Sequence, residues 1–291
     1  MFRKLYQKLF FRKSAWQIGV SSLDFNRFPD ITVPSCAILS KSDISDRDAA
    51  FVADPFLIRF GEKWYLFFEI KDKKAEKGVI GMASSEDFVK WRYEGVVLQE
   101  AWHLSYPFVF VYENTLYMIP ESGENRSVKL YKADRSLLHW QEVRTLLEGE
   151  DFRDTTLWRK EGVWYFFTSQ NSDDNLYLYT SDDLFGTLKP HPQNPLLTDE
   201  PRFSRSGGNI FSLDDKLYRL SQDCSRRYGE ALYLLEITAL GKEAFAQKPL
   251  QKLLDPPKDK EQWNSRKMHH FSVVTEGGKL FFAVDGEGWQ K

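Results

Sequence analysis

A pattern that occurs five times along the chain restricts its fold more than any other feature of the sequence. Each copy runs from a first residue through a strand-like apolar segment to a turn containing Gly, Asn or Asp. Two large apolar or aromatic residues follow ten positions after the first residue, and the copy ends at position fifteen. The first residues of the five copies, here called the anchors, are Asp54, Tyr106, Asp154, Gly207 and His270. Two apolar segments joined by such a turn predict a β-hairpin at the start of each repeat.

The anchors lie 52, 48, 53 and 63 residues apart, which leaves room for four strands in each repeat. Third strands are predicted in VIGMASS, VKLYKAD, LYLYTSD and LYLLEIT, and fourth strands in VVLQE, VRTLLE, NPLLT and LQKLL. Only six residues follow Asp285, so we expect the N-terminal segments WQIGVSS and SCAILSK to supply the outer strands of the last repeat. The sequence therefore predicts an all-β domain over residues 15–291, a five-bladed β-propeller whose last blade is closed by N-terminal strands.

The first fourteen residues differ from the rest in charge. They carry five cations and no acid, so they contribute +5 and the remaining chain −7 to the net charge of −2. Their apolar residues recur at helical spacing, which predicts a basic amphipathic helix over residues 1–14. Such a helix either packs against the domain or brings residues 1–13 to an anionic membrane surface. No apolar run of signal-peptide length is present there, so we expect a cytoplasmic protein, or one peripheral on the inner face of the membrane.

The polar residues of the repeats are expected to meet on one face. The two strands of a hairpin are antiparallel, so an anchor and the residue fifteen positions later lie at the same end. The later residues are Glu69, Glu121, Ser169, Gln222 and Asp285. The five anchors and these five later residues are expected to form two rings around one mouth of the central channel, where the sequence predicts the functional site.

Each of these residues also has a purely structural interpretation. Asp54 precedes Pro55 and is typical of a turn, Asp154 has Arg153 as an ion-pair partner, and the two glycines at 207–208 serve the backbone. We expect His269 and His270, as neighbours in a strand, to point to opposite faces, so no metal site is predicted from them. The near balance of 40 basic and 42 acidic residues also argues against a nucleic-acid partner.

Several strings resemble known families. ADPFLI, WHLSYPFVF, YMIPES, SGGNIF and YRLSQDCSRRYG are similar to the N-terminal propeller of plant glucosamine inositolphosphorylceramide transferases, in which a separate domain looks like the glycosyltransferase. The blades more distantly resemble the furanosidases of glycoside hydrolase families 43 and 32. That resemblance implies a base or nucleophile at Asp54 and a second acid at Asp154, whereas Arg205 and glycines stand where those enzymes have their acidic Glu. The string MHHFSVV resembles a strand that faces a central calcium in some members, so calcium in the channel is the one cofactor implied.

The predicted catalytic residues are Asp54, Asp154 and Glu121. The predicted substrate-binding residues are Trp102, His103, Tyr106, Arg153, Arg205, Asn209, Gln222, Asp223, Arg227, His269 and His270. Arginine-rich loops suit the phosphate of an activated donor, and phosphate leaves without much acid catalysis.

These residues favour a glycosyltransferase in surface-glycan synthesis that acts on a sugar donor and a glycan or glycolipid acceptor. Two alternatives are a glycoside hydrolase, which needs a pair of carboxylates, and a non-catalytic glycan-binding module. In the binding module, Trp102, Tyr106 and Trp289 would stack on sugars.

Overall fold

A computed structural model describes residues 13–170 and 174–289, and these residues form five antiparallel sheets. The strands are β1 (Ser14–Asp24), β2 (Ala49–Phe60), β3 (Lys63–Asp72), β4 (Lys77–Ser85), β5 (Arg92–Leu98), β6 (Ser105–Tyr112), β7 (Thr115–Glu121), β8 (Ser127–Ala133), β9 (Trp140–Glu148), β10 (Phe152–Lys160), β11 (Val163–Gln170), β12 (Leu176–Ser181), β13 (Lys189–Pro190), β14 (Phe211–Leu213), β15 (Lys216–Gln222), β16 (Leu232–Leu240), β17 (Phe245–Leu254), β18 (Phe271–Glu276) and β19 (Lys279–Trp289).

The sheets are the blades of a five-bladed β-propeller, which confirms the predicted fold. Four blades have the strand orders β2-β3-β4-β5, β6-β7-β8-β9, β10-β11-β12-β13 and β14-β15-β16-β17, and the last has the order β18-β19-β1. The described ranges contain three short 3-10 turns but no helical segment with the length and apolarity that spanning a bilayer requires. The helix predicted over residues 1–14 falls almost wholly outside the described residues.

The last blade closes as predicted through β1. This strand pairs with β19 over eleven consecutive residues, from Ser14 opposite Trp289 to Asp24 opposite Lys279. The segment SCAILSK does not add a fourth strand, because only Leu39 bridges to Ile18. A capping box at Ser40 then turns the chain away. The closing blade therefore has three strands.

The outer strand of the third blade is also not where the sequence predicted it. NPLLT lies at residues 194–198, but the fourth strand of that sheet is the short β13. Pro195 has no N–H to donate to a ladder. Asn194 instead pairs with Leu178 through its side chain, accepting from the backbone N–H at 2.8 Å and donating to the carbonyl at 2.7 Å.

Large aromatic side chains pack between the blades and form the core. Phe56, Phe67 and Phe166 are almost fully buried in one cluster that joins the first three blades, and Phe271 and Phe282 stack in a second cluster between the last two. Burying one such side chain contributes roughly 1.5–3 kcal/mol. The apolar periodicity of the hairpins therefore fixes which strand faces pack together.

Three anchors adopt an unusual backbone conformation. The φ angles of Asp54, Tyr106 and Asp154 are 53°, 42° and 47°, and the strand register shifts just after each of them. A positive φ is uncommon for residues other than glycine, and a β-bulge bends a strand and redirects its side chains. The repeated bulge turns these three anchors toward the channel.

Hydrogen bonds of the anchors Asp54 and Tyr106 connect the blades around and across the channel. The Asp54 N–H donates to Asp285 Oδ2 at 3.1 Å, and the Tyr106 N–H donates to Asp54 Oδ2 at 3.2 Å. The Tyr106 hydroxyl crosses the channel, lies 2.7 Å from Thr156 Oγ1, and both donates to and accepts from the Gly208 backbone at 3.0 Å. These contacts involve all five blades.

Closure by β1 leads to the first testable prediction. Deleting residues 1–40 removes β1 and exposes the edge and apolar face of β19, so we expect no cooperative unfolding transition. Urea unfolding followed by circular dichroism measures this. A control lacking residues 1–13 retains all nineteen strands and is expected to unfold cooperatively. A sharp transition in the 1–40 deletion would contradict closure by β1.

Candidate functional site

The mouth of the channel gathers five acidic side chains, as the repeat predicted. Four of them, Asp54, Glu69, Asp154 and Asp285, are at most 6% exposed, and the Glu121 side chain is 14% exposed. They come from the first, second, third and fifth blades. Carboxylates buried this close together destabilise one another's charged forms unless cations or hydrogen bonds compensate.

Arg205 is the cation at the centre of one half of the mouth. Its Nε donates to Asp154 Oδ2 at 2.6 Å, and its Nη2 donates to Glu121 Oε2 at 3.2 Å. Gln222 donates to the same Asp154 oxygen at 2.7 Å. Arg205 therefore holds acids together and does not present a free fork to a donor phosphate, the role predicted from sequence.

This arrangement moves the pKa values of two neighbouring acids in opposite directions. Burial acts to raise the pKa of Asp154, but the Arg205 charge and the hydrogen bonds from Glu121 and Arg205 outweigh it and lower that pKa. Burial and the Asp154 charge raise the pKa of Glu121 well above its usual value. The pair thus favours a neutral Glu121 carboxyl beside an ionised Asp154, a division found in acid–base catalysis.

The other half of the mouth contains Asp54, His269, His270 and Asp285. Asp285 accepts hydrogen bonds from the backbone N–H groups of His269 and His270 at 3.2 and 3.1 Å. It also lies 2.8 Å from His269 Nδ1. Asp54 Oδ1 lies 3.7 Å from His269 Nε2 and 3.8 Å from His270 Nδ1.

The pKa values here follow from burial and from these contacts. Burial, with the charge of Asp285, raises the pKa of Asp54 to about 7, against the opposing effect of His269. Burial acts to lower the pKa of His269, but the charge and hydrogen bond of Asp285 raise it. Burial lowers the pKa of His270 to about 4, so this ring is neutral near pH 7.

The expectation that His269 and His270 point to opposite faces is wrong. Both rings approach the same oxygen of Asp54. Strand β18 begins only at Phe271, so the two histidines precede the region where side chains alternate.

The described residues of the channel do not fit a calcium ion. Calcium takes six to eight oxygen ligands. Both oxygens of Asp285 already accept hydrogen bonds from N–H groups, so Asp54 Oδ1 is the carboxylate oxygen that faces the two imidazoles. Nitrogen donors predominate around it, and calcium binds nitrogen poorly.

Several residues predicted to bind substrate are instead buried or held by contacts within the protein. The Tyr106 ring is fully buried and is not available to stack on a sugar. Asn209 exchanges two hydrogen bonds with the Val273 backbone, at 2.9 and 2.8 Å. Arg153 pairs with Asp151 at 2.6 Å rather than with Asp154. These contacts join blades or order loops.

The remaining predicted residues surround the mouth on its loops. Asp223 accepts from Ser225, and Arg227 donates to the Arg266 carbonyl at 3.1 Å. Trp102 is half-buried against the core. His103 accepts from the Gly78 N–H at 2.8 Å, and burial lowers its pKa to about 4. Its Nε2 lies 3.5 Å from Glu69 Oε1, and burial and the Asp54 charge raise the pKa of Glu69 well above its usual value.

Two aromatic residues of the mouth were not predicted from sequence. Trp16 stacks on His269 with ring centroids 4.1 Å apart, and Tyr228 lies over Arg205 at 4.9 Å. Tyr228 is 40% exposed, and Lys267 Nζ lies 5.8 Å from the centres of both rings. Trp16 is far from His269 in sequence and is placed here by strand β1. The neighbours of Tyr228 in the RRYG segment were the only local signal.

Comparison with known proteins then identifies the family. The profile described as "Glucosamine inositolphosphorylceramide transferase 1, N-terminal" matches residues 28–287. The chain belongs to this family. It is 37% identical over 248 residues to glucosamine inositolphosphorylceramide transferase 1 of Oryza sativa subsp. japonica, which covers 81% of the chain and 33% of the rice protein. It is 35% identical over 265 residues to the Arabidopsis thaliana protein of that name, and the match covers 88% of the chain and 34% of the Arabidopsis protein. The chain thus spans about a third of the length of these curated relatives.

Solved structures share the fold of this family member at low sequence identity. An α-L-arabinofuranosidase from Podospora anserina has a TM-score of 0.59 and 12% identity, over 83% of the chain and 92% of that structure. A family 117 glycoside hydrolase from Zobellia galactanivorans has a TM-score of 0.55 and 15% identity, over 93% of the chain and 90% of that structure. A GH32 β-fructofuranosidase from Bombyx mori has a TM-score of 0.60 and 17% identity, over 83% of the chain and 58% of that structure. These structures show that the five-bladed propeller of this family member is a fold it shares with them.

The ion pair at Arg205 leads to the second prediction. Arg205→Ala leaves the ionised Asp154 buried without its cation and removes the donor to Glu121, so we expect the free energy of unfolding to fall by about 3–5 kcal/mol. Arg153→Ala is the matched control, since its partly exposed pair with Asp151 contributes about 1 kcal/mol or less. Urea unfolding at pH 7 compares the two. Equal losses would show that Arg205 does not hold the acids.

The raised pKa of Asp54 leads to the third prediction, on pH dependence. A carboxyl group whose pKa is higher in the folded than in the unfolded state stabilises the folded state. This stabilisation is fully present below the unfolded pKa of about 4. That contribution is lost as the pH rises to the folded value of about 7. Across this interval, with EDTA present, the unfolding free energy of the wild type should decline more steeply than that of Asp54→Asn. Parallel curves from urea unfolding would contradict the raised pKa.

Proposed function

We propose that this chain is a glycosyltransferase domain that transfers a sugar from a phosphate-activated donor to a glycan or glycolipid acceptor. The observation that carries the proposal is a set of carboxyl groups at one mouth with pKa values moved apart. Asp54 has a pKa of about 7, Glu121 a higher one than usual and Asp154 a lower one. Catalytic sites that move protons near neutral pH use such differences.

The roles follow from position and ionisation. Asp54, with a pKa of about 7, is suited to act as a general base that takes the proton of an acceptor hydroxyl. Asp154 is ionised and rigidly held by Arg205 and Gln222, so it can orient sugar hydroxyls and stabilise positive charge on the ring. Glu121, as a neutral carboxyl, has one proton, which it donates to Asp154 here and would have to redirect to a sugar oxygen to act as an acid.

The aromatic residues supply a surface for the sugar ring. The exposed face of Tyr228 lies beside the charged cluster, next to Trp16 and Lys267. Aromatic faces pack against the apolar face of a sugar, and a lysine ammonium attracts phosphate as a point charge. Because two acids hold Arg205 at 2.6 and 3.2 Å, we assign the contact with the donor phosphate to Lys267, whose side chain is 21% exposed and whose ion pair with Glu287 is longer, at 3.7 Å.

The names of the relatives suggest chemical classes for the two substrates. Glucosamine inositolphosphorylceramide transferase 1 is named for an amino sugar and a phosphorylated lipid. We propose an amino-sugar donor and an inositol-phosphate glycolipid acceptor for this chain as well. A cytoplasmic location, with residues 1–13 on the anionic inner face of the membrane, belongs to the same proposal. Unchanged sedimentation with anionic vesicles after deletion of residues 1–13 would remove the membrane contact.

A glycoside hydrolase is the second candidate. The neutral Glu121 beside the ionised Asp154 favours it, because a hydrolase needs a carboxyl that protonates the leaving group. The two candidates differ in how much they need that acid. A phosphate leaving group departs without being protonated by a general acid, whereas an alkoxide leaving group needs that proton.

The fourth prediction separates these functions. Asp54→Asn should lower turnover of a nucleotide sugar by about 10²–10⁴ while donor binding is kept. Asp214→Asn is the matched control, since Asp214 has a similar φ of 51° but lies exposed at a hairpin turn. Glu121→Gln should change transfer from the phosphate donor by less than about tenfold.

Product formation is followed by chromatography, after a screen of nucleotide sugars by thermal stabilisation. Hydrolysis of an alkyl glycoside that falls by about 10²–10⁴ in Glu121→Gln, with no transfer from any nucleotide sugar, would establish the hydrolase instead. Stabilisation by sugars without turnover of either kind would indicate a binding module.

A further inference from the structure

The proposed function leaves unused a groove beside the closing blade. The groove has a volume of about 640 Å³ and is lined by the start of β1 and by parts of the segments 35–42 and 259–263. Ligand sites commonly have volumes of roughly 300–1,000 Å³. The groove lies beside the residues of β1 that precede Ile18, the residue at which Leu39 bridges to this strand. It therefore occupies the side of β1 on which the closing blade has no fourth strand.

The Trp263 ring is held in this groove by contacts with the protein. A Cβ atom at Gly19 or at Gly286 would lie 2.9 Å from the six-membered part of the ring, which is closer than real side chains come. Glycines in a strand commonly mark such a close approach. The Trp263 Nε1–H also donates to the Pro34 carbonyl at 2.9 Å. The ring is thus half-buried and already oriented before a ligand arrives, which lowers the entropic cost of binding.

Gln17 supplies a hydrogen-bonding group beside this ring. It lies directly opposite Gly286 in the β1–β19 ladder, so its side chain projects from the face of the sheet on which Trp263 packs. The Gln17 side chain is half-buried, and its amide makes no hydrogen bond with the described residues. A side-chain amide both donates and accepts. An aromatic face next to such an amide suits a sugar, which has an apolar face and a rim of hydroxyl groups.

The charges of the groove disfavour an anionic ligand. Among its described lining residues are two acids, Asp259 and Glu261, and one cation, Lys41. Binding sites for phosphate or carboxylate groups instead concentrate arginine or lysine. The other polar side chains of the lining are those of serine, cysteine, glutamine and tryptophan. An uncharged chain of sugars therefore fits the groove better than a nucleotide or a lipid phosphate.

Trp16 connects the groove to the mouth of the channel. Its ring stacks on that of His269 at the mouth, with centroids 4.1 Å apart, and the same side chain lines the groove. Gln17 lies opposite the residue that follows Asp285, so the groove is at the mouth end of the closing blade. A glycan whose terminal hydroxyl lies at Asp54 can therefore extend past Trp16 into the groove.

We propose that this groove binds the uncharged glycan part of the acceptor, beyond the sugar whose hydroxyl reacts at the mouth. Trp263 stacks on the apolar face of a sugar ring, and the Gln17 amide exchanges hydrogen bonds with its hydroxyl groups. That the glycan is an acceptor rests on the proposed function. That the groove binds a glycan does not, so binding is measured without an assay of turnover.

The fifth prediction uses Cys36, an exposed free cysteine that lines the groove, as a reporter in the full chain. The probes are uncharged tetrasaccharides of glucose, galactose, mannose or N-acetylglucosamine. At least one of them should slow alkylation of Cys36 by iodoacetamide, because sugars bound in the groove cover the thiol. The corresponding monosaccharide and a tetrasaccharide of uronic acid should not. Mass spectrometry of the peptide that contains Cys36 gives the rate.

Two variants and a matched control locate the binding. Trp263→Ala and Gln17→Ala should each weaken binding of the protecting tetrasaccharide by about tenfold, measured by calorimetry. Trp158→Ala is the control and should bind normally, because Trp158 is also a half-buried tryptophan but belongs to the third blade.

The outcomes are distinct. Absence of protection by all four tetrasaccharides, equal protection by the monosaccharide or the uronic acid chain, or normal binding by both groove variants would overturn the site. If Trp263→Ala fails to fold, Gln17→Ala and the protection of the wild type decide. Protection of Cys36 without turnover of any nucleotide sugar would refute the transferase but not the groove. Sugar transfer without protection by any tetrasaccharide would do the reverse.

Discussion

The hydrogen bonds of Asp54 and Tyr106 at the channel are the contacts on which the rest of the structure depends. Asp285, Asp54 and Tyr106 connect the fifth, first and second blades, and the Tyr106 hydroxyl continues the connection to Thr156 and Gly208. A blade contacts mainly its two neighbours, so these bonds and the pairing of β1 with β19 make a ring of five separate sheets. The ring in turn fixes the mouth at which the acidic residues meet.

The closed ring explains the electrostatics of the mouth. Each innermost hairpin delivers polar groups to one small volume, and bulges after three anchors aim them inward. Five acids in that volume have beside them the buried Arg205 and the buried His269, whose pKa the charge and hydrogen bond of Asp285 raise. Asp154 and Asp285, which accept several hydrogen bonds, have lowered pKa values. Burial dominates at Glu69 and at Glu121 and raises their pKa values, even though Arg205 lies beside Glu121. Differences in solvation and pairing thus give chemically equivalent carboxyls different proton affinities.

Much of the candidate site was predictable because its residues occupy equivalent positions of a sequence repeat. Asp54, Glu121 and Asp154 were placed at the mouth from spacing alone, since antiparallel pairing brings the ends of each hairpin together. Spacing did not predict which partner each side chain chooses. Arg205 faces Asp154 and Glu121 from another blade, and Tyr106 turns into the channel because of its positive φ. Such choices depend on contacts between blades.

The sequence by itself determined the hairpins, the number of blades and the use of β1 to close the last one, because apolar periodicity and turn residues act locally. The tertiary structure decided the outer strands, where Pro195 and the capping box at Ser40 interrupt pairing. It also decided that Trp16 and Tyr228 form a wall of the mouth and that His269 and His270 face one oxygen of Asp54. The physical reason is that these contacts join residues up to about 250 positions apart, and loop geometry and burial set their orientation rather than any period of the chain.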